Sequence, residues 1–202
     1  ASDVYKRQIS FFTIITWVFE FLAIRLANLN RLNIKFFFSP AAYKGHKITK
    51  WDFKKHFENY FTADLNSPLA EYKVDVCDLP FQSNSFDFVL CNHVLEHVYD
   101  DELAIKELHR VLKKKGVAIL QVPLNLKISE TIDGRDIKDG KKRNELFGQY
   151  DHLRTYGKDF FKKIESKGFK VKKIRYADNF TQNEIEKYGL VKHEVIPVCQ
   201  KI

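Results

Sequence analysis

The stretch CNHVLEH, residues 91–97, follows the apolar run FDFVL and gathers Asn92, His93, Glu96 and His97 within six positions. An imidazole titrates near neutral pH and can take up or release a proton where other side chains cannot. A strand that ends on such groups delivers them to a ligand or runs into an ordinary surface turn. Two acidic residues also close strand-like runs: Asp64 ends NYFTAD and Asp75 lies within YKVDV. A further imidazole, His152, lies in FGQYDHLRTYG with Tyr150, Arg154 and Tyr156. Cys77, Cys91 and Cys199 are far apart, and no CxxC or Cys/His ligand spacing is present. Neither a zinc site nor a disulfide framework is therefore expected, and the metal reading is none. A reducing cytoplasm suits these cysteines.

Positioning such groups requires a frame, and the patterning supplies one. The chain has 202 residues with 45% hydrophobic and 30% charged content, enough for one domain with a full core. FDFVLC and VAILQVP are apolar throughout rather than at every second position, which predicts strands buried on both faces of a parallel sheet. Helix patterns alternate with them: YKGHKITKWDFKKHF at 43–57, DDELAIKELHRVLKKKG at 100–116 and KDFFKKIESKGF at 158–169. In the second of these, Asp100 or Asp101 caps the start. Leu103, Leu108, Val111 and Leu112 face inward, late lysines favour the C-terminal dipole, and Gly116 ends the helix. KVKKIRYA and HEVIPVCQKI read as two closing strands. The class is a doubly wound α/β fold, which binds ligands beyond the C-terminal strand ends. Residues 124–156 are polar and without periodicity, as a lid or substrate loop would be.

The net charge is +8, from 34 Lys+Arg against 26 Asp+Glu, but the lysines are spread out and no aromatic-plus-basic stripe suited to stacking bases is present. Nucleic acid is not expected as a partner. Residues 1–30 read as an N-terminal extension and 31–202 as the domain. Within the extension, ASDVYKRQ reads as translated adapter sequence, and residues 9–29 as an apolar-rich helix that packs on the domain. Glu20 in its middle makes membrane association the lesser reading of that helix.

From Val74 to Gly116 the ordered elements are Asp75, Leu79-Pro80-Phe81, Ser85-Phe86-Asp87, a strand, the His93 and His97 turn, and Arg110-Val111-Leu112-Lys113. In these the chain resembles class I S-adenosylmethionine-dependent methyltransferases of the methyltransferase type 11 group. The similarity runs from 34 to 202, with the central forty residues its specific part. It implies a Rossmann-like, mostly parallel seven-stranded sheet with an antiparallel last strand, and S-adenosylmethionine lying across the strand ends.

The resemblance further implies that Asp64 accepts hydrogen bonds from the ribose hydroxyls, with a turn-capping Asp as the other reading. Asp75 would take the adenine amino group while the backbone of Val76 meets the ring, and Asp78 would cap the turn. Phe81 would cover the adenine or pack in the core. Asn92 and His93 would face the methionine end. His93, His97 and His152 are the candidate proton acceptors when the methyl acceptor must lose a proton, with His97 and His152 the chosen pair; Glu96 would orient His97, bind the acceptor or open a helix. Tyr150 and Tyr156 would line the acceptor pocket or pack, and Arg154 would meet an acceptor carboxylate or phosphate or lie on the surface.

One departure stands out. The glycine-rich turn after the first strand is absent, no glycine precedes Gly45, and the matching place reads FFFSPAAYKG. Ser39 and Pro40 are assigned there to the cofactor, in a variant of that turn without its acidic residue. The expected function is methyl transfer to a small-molecule acceptor, with the oligomeric state open. Two rivals differ in class: a catalytically inactive scaffold with the same fold, and a membrane-surface enzyme acting on a lipid or quinone.

Overall fold

The computed structural model describes residues 35–38, 59–68, 70–188 and 190–202. The expected helices at 9–29 and 43–57, and Ser39 and Pro40, lie outside these residues. Strands β1 (Lys35–Phe38), β2 (Asn59–Asp64), β3 (Tyr72–Lys73), β4 (Phe86–Asn92), β5 (Leu112–Gln121), β8 (Phe169–Ile174) and β9 (Ile196–Lys201) form a seven-stranded sheet in the order β3-β2-β1-β4-β5-β9-β8. Neighbours from β3 through to β5 pair parallel, while β9 runs antiparallel to both β5 and β8. The last strand is antiparallel, as expected.

β4 shows why the sheet is doubly covered. Phe86, Phe88, Val89, Leu90 and Cys91 are all buried, and only Asp87 among the first six is partly exposed. Alternate residues point to opposite faces, so both faces must meet apolar cover. Helix α1 (Asp101–Val111) supplies part of it through Ala104, Ile105, Leu108 and Val111. Each such side chain contributes roughly 1.5–3 kcal/mol relative to exposure. Asp100 caps α1, its Oδ1 accepting from Leu103 N–H at 2.9 Å.

Two details of α1 differ from the sequence expectation. Leu103 is exposed, and the helix stops at Val111 rather than running to Gly116. Leu112 is already extended and pairs with Phe86, whereas Val117 pairs with Phe88. The surplus residues form a bulge. Lys113 Nζ reaches both oxygens of Asp87 at 2.8 Å, and Lys115 sits at φ 65°. Gly116 belongs to this bulge, because a Cβ there would stand 2.8 Å from Lys113 O and 3.1 Å from Asp87 O. Strand pairing overrode a lysine-rich run with helical propensity. β3 is also shorter than its pattern, ending at Lys73 rather than 76.

The segment 124–156 is not an irregular loop. It carries a two-stranded antiparallel ribbon, β6 (Ile132–Asp133) with β7 (Arg154–Thr155), around helix α2 (Gly140–Phe147). Asp139 caps α2, accepting from Lys141 N–H at 2.8 Å, and Gly148 ends it at φ 81°. Helix α3 (Asp159–Glu165) buries Phe160, Phe161 and Ile164 and is followed by β8 after Gly168. Helix α4 (Gln182–Tyr188) lies between β8 and β9. Among the described residues, no helix is long and apolar enough to cross a membrane.

Candidate functional site

Strand register sets the site. Phe38 of β1 pairs with Thr62 on one side and with Leu90 on the other. Two residues further along, β2 ends on Asp64 and β4 ends on Asn92; Asn92 pairs with Gln121, which ends β5. Three polar residues thus stand at one level on the C-terminal edge. Asp64 and Asn92 are separated by two strand spacings, about 9.6 Å. Asp75 follows two residues after Lys73, which itself pairs with Asp64.

These polar groups are deeply placed and incompletely bonded. Asp64 is 8% exposed; its Oδ1 accepts from the N–H groups of Asn66 and Ser67, both at 2.7 Å. Its Oδ2 is buried and has no hydrogen-bond partner among the described residues. One oxygen of the carboxylate therefore shapes the turn, and the other has no partner among the described residues. Asn92 is 3% exposed, and neither its Oδ1 nor its Nδ2 has a partner among the described residues. An unbonded buried amide costs on the order of 1–3 kcal/mol, which a ligand would recover.

Asp75 is exposed and accepts from Cys77 N–H at 2.8 Å, while Asp78 N–H donates to Asp75 O at 3.1 Å. Val76 is partly buried against the core. Burial and the adjacent Asp75 push the Cys77 thiol up to about 12, so it is no ready nucleophile. Cys91 and Cys199 are free and buried, and burial raises their pKa further. Phe81 packs edge-on against Tyr72 and Phe86, at centroid distances of 5.2 and 5.0 Å.

The turn after β4 carries the imidazoles. His93 adopts φ 52°, a left-handed conformation costing about 1 kcal/mol outside glycine, and its N–H donates to Gln121 O at 2.8 Å. His93 Nδ1 lies 3.3 Å from Glu96 Oε1. Burial lowers the His93 pKa, but the Glu96 carboxylate beside it, with Glu194 beyond, outweighs this and leaves it raised. Glu96 lies in the first turn of a short 3-10 helix, Leu95–His97, and is only 1% exposed. His97 and His152 pack edge-on with centroids 4.8 Å apart, so the structure joins two imidazoles that are remote in sequence. Burial lowers the His152 pKa, with Glu96 acting against it.

Arg154 and Tyr156 take structural positions instead of pocket-lining ones. The Arg154 side chain is fully buried and donates to the carbonyls of Leu95, Val98 and Tyr99, with Asp133 and Asp101 carboxylates 3.5 and 4.0 Å from its Nε. An acceptor anion finds no free face of that guanidinium. Tyr156 donates to Asp101 Oδ2 at 2.9 Å, beside Lys163 at 2.8 Å. Tyr150 is 63% exposed.

Gln121 and Glu194 were missed. Gln121 is wholly buried and its Nε2 donates to Glu194 Oε1 at 2.7 Å. Burial raises Glu194 to about 7, against the opposing effects of His93 and the Gln121 hydrogen bond. The polar Gln121 inside the apolar run VAILQVP was the available signal. Nothing in the sequence marked Glu194.

Comparison with known proteins adds four observations. Residues 35–120 match a family described as a methyltransferase domain. An uncharacterised protein of Methanocaldococcus jannaschii is 34% identical over 115 residues, 55% of this chain and 42% of that one. The demethylmenaquinone methyltransferase of Staphylococcus carnosus is 44% identical over 45 residues, 22% of this chain and 19% of that one. The chain therefore spans less than half the length of these curated relatives. The crystal structure of an S-adenosylmethionine-dependent methyltransferase from Mesorhizobium loti superposes with a TM-score of 0.56 at 16% identity, covering 90% of this chain and 97% of that one. At that identity the likeness speaks for the fold. The strand order with its antiparallel β9 and this likeness agree on the fold: the chain has the class I methyltransferase fold, and its residues 35–120 are similar to a methyltransferase domain.

Proposed function

We propose that this protein is an S-adenosylmethionine-dependent methyltransferase acting on a small-molecule acceptor in the cytoplasm. The observation that carries the reading is the pair of buried, unbonded polar groups at one level of the strand-end edge, Asp64 Oδ2 and the Asn92 amide. A carboxylate oxygen suits sugar hydroxyls, and an amide suits a group that both donates and accepts, so the residues present fit the cofactor. Asp64 would hold the ribose, Asp75 and the Val76 backbone the adenine, and Asn92 and His93 the methionine end. Ser39 and Pro40, which follow Phe38 in the sequence, would complete the cradle.

When bound, S-adenosylmethionine supplies an electrophilic methyl group on a sulfonium. The chain's part is to align the acceptor with that methyl and to exclude water. The ribbon and helix of 124–156 suit this, since Leu153 N–H donates to Glu96 O at 2.8 Å and seats the segment against the turn after β4. His97 and His152 stand there as the acceptor-side groups. The absent glycine-rich turn favours the scaffold reading as the rival.

Isothermal titration of the full chain with S-adenosylhomocysteine separates the two, micromolar binding being the expected result. Absence of heat at millimolar ligand sinks the enzyme reading. Thermal-shift screening of a metabolite panel with S-adenosylhomocysteine present, beside an RNA gel-shift at physiological salt, then addresses the acceptor. Submicromolar RNA binding without a metabolite hit overturns the small-molecule assignment.

A further inference from the structure

Among the described residues, Glu96, His97 and His152 bring one carboxylate and two imidazole ligand atoms within 4.8 Å of one another. Ligand atoms around a tetrahedral ion at about 2.1 Å are roughly 3.4 Å apart, so the group lies at most about 1.4 Å short of closure. His97, with 32% of its side chain exposed, has room to make that adjustment.

The surroundings match those of a ligand set. The Nδ1 of His152 lies 3.2 Å from Phe147 O; the Nδ1 of His97 lies 3.3 Å from Asp151 O and 3.6 Å from Asp151 Oδ2. Imidazoles held in this way through one nitrogen present the other to a metal in a fixed orientation. Glu96 is the independent sign. Its side chain is 1% exposed, and neither oxygen makes a hydrogen bond of good geometry among the described residues. His93 Nδ1 stands 3.3 Å from its Oε1, a pairing that carries charge only when that imidazole is protonated. A buried carboxylate left in this way is costly unless something charged joins it.

We infer that Glu96, His97 and His152 form a binding site for a divalent transition-metal ion of the zinc class. Two nitrogens and one oxygen disfavour calcium and magnesium, which prefer all-oxygen shells, and three protein ligands leave a position open. Water or an acceptor oxygen would occupy it. That last role rests on the methyltransferase reading; ion binding does not. The set escaped the sequence because 55 residues separate its two imidazoles and no local spacing marks them.

The test uses the untagged full chain stripped with EDTA, titrated with zinc chloride by calorimetry and with cobalt(II) by visible absorption. One ion per chain is expected at micromolar affinity or tighter, with cobalt bands of a nitrogen/oxygen site. Glu96→Gln and His152→Gln should each weaken binding at least tenfold. Should either of these buried changes unfold the chain, His97→Gln, on the partly exposed ring, carries the same expectation. Substoichiometric binding, unchanged affinity in His97→Gln, or a thiolate charge-transfer band from cysteine ligation would overturn the site. Titrating S-adenosylhomocysteine into the stripped protein keeps the two questions apart, since cofactor binding without zinc binding refutes the metal alone.

Discussion

Gln121 Nε2 donates to Glu194 Oε1 at 2.7 Å, joining the end of β5 to the approach to β9. The carboxyl of Glu194 is raised from 4.5 to about 7, chiefly by burial. A raised folded-state value means that the native protein holds the proton more tightly than the unfolded chain. The associated stability is full below about pH 4.5 and is lost as the pH rises through 7. Glu194→Gln keeps an acceptor for Gln121 and removes the titration. Calorimetric melting from pH 5 to 8 should show the wild type losing stability over this range relative to the variant. Parallel curves would show that Glu194 titrates normally.

Asp64 uses its two oxygens differently, and two variants separate them. Asp64→Asn keeps an acceptor for Asn66 and Ser67 N–H but puts an amide nitrogen in place of the unbonded oxygen. It should cost about 1.5–3 kcal/mol in S-adenosylhomocysteine affinity, roughly ten- to hundredfold, with little change in melting. Asp64→Ala should lose the turn as well, and with it about 1 kcal/mol of stability. Equal affinity in wild type and Asp64→Asn by calorimetry would confine Asp64 to the turn.

Arg154→Met should be the most damaging of these substitutions to stability. It takes a donor from three carbonyls, a buried one at Leu95 and partly buried ones at Val98 and Tyr99, although Leu95 O keeps the Tyr156 hydroxyl. Removing one member of a buried charge network costs about 3–5 kcal/mol, or on the order of 10 °C in a domain of this size. Arg154→Lys should recover little, because one ammonium cannot span what the planar fork spans. Urea unfolding of the three proteins measures this directly.

Gly168 sits at φ 93°, and a Cβ there would lie 2.9 Å from His109 Nε2. Gly168→Ala combines a left-handed alanine with displacement of a ring that packs edge-on against Phe169. A loss of about 1–3 kcal/mol is expected by urea unfolding. A loss under 0.5 kcal/mol would mean that the turn relaxes freely.

The sequence made β4, the start of α1 and the order of elements legible, because a continuous apolar run and an Asp before a helical pattern act locally. Lys113-Lys114-Lys115 misled because dipole chemistry predicts helix there, whereas the pairing of Leu112 with Phe86 is a long-range term. The two-residue strands β6 and β7 are too short to show a period of two, so 124–156 read as loop. Among the site residues, Asp64 and Asn92 were visible as polar ends of apolar strands. The contacts of Arg154, Glu194 and the His97–His152 pair exist only after folding, and no spacing rule encodes them.

The guanidinium of Arg154 ties the 124–156 segment to the carbonyls flanking Glu96 and His97. This bears on how such a chain could acquire a new substrate. In many enzymes a peripheral insertion can be exchanged while the frame beneath stays intact. Here the 124–156 segment holds the backbone of the strand-end turn, so exchanging one without the other breaks the joint between them. A chimera that takes 124–156 from a relative without its matching 95–101 should fold poorly, whereas a graft carrying both stretches keeps the joint intact. Diversification is then easiest at Tyr150 and along the outer face of α2, where residues change without loosening that joint.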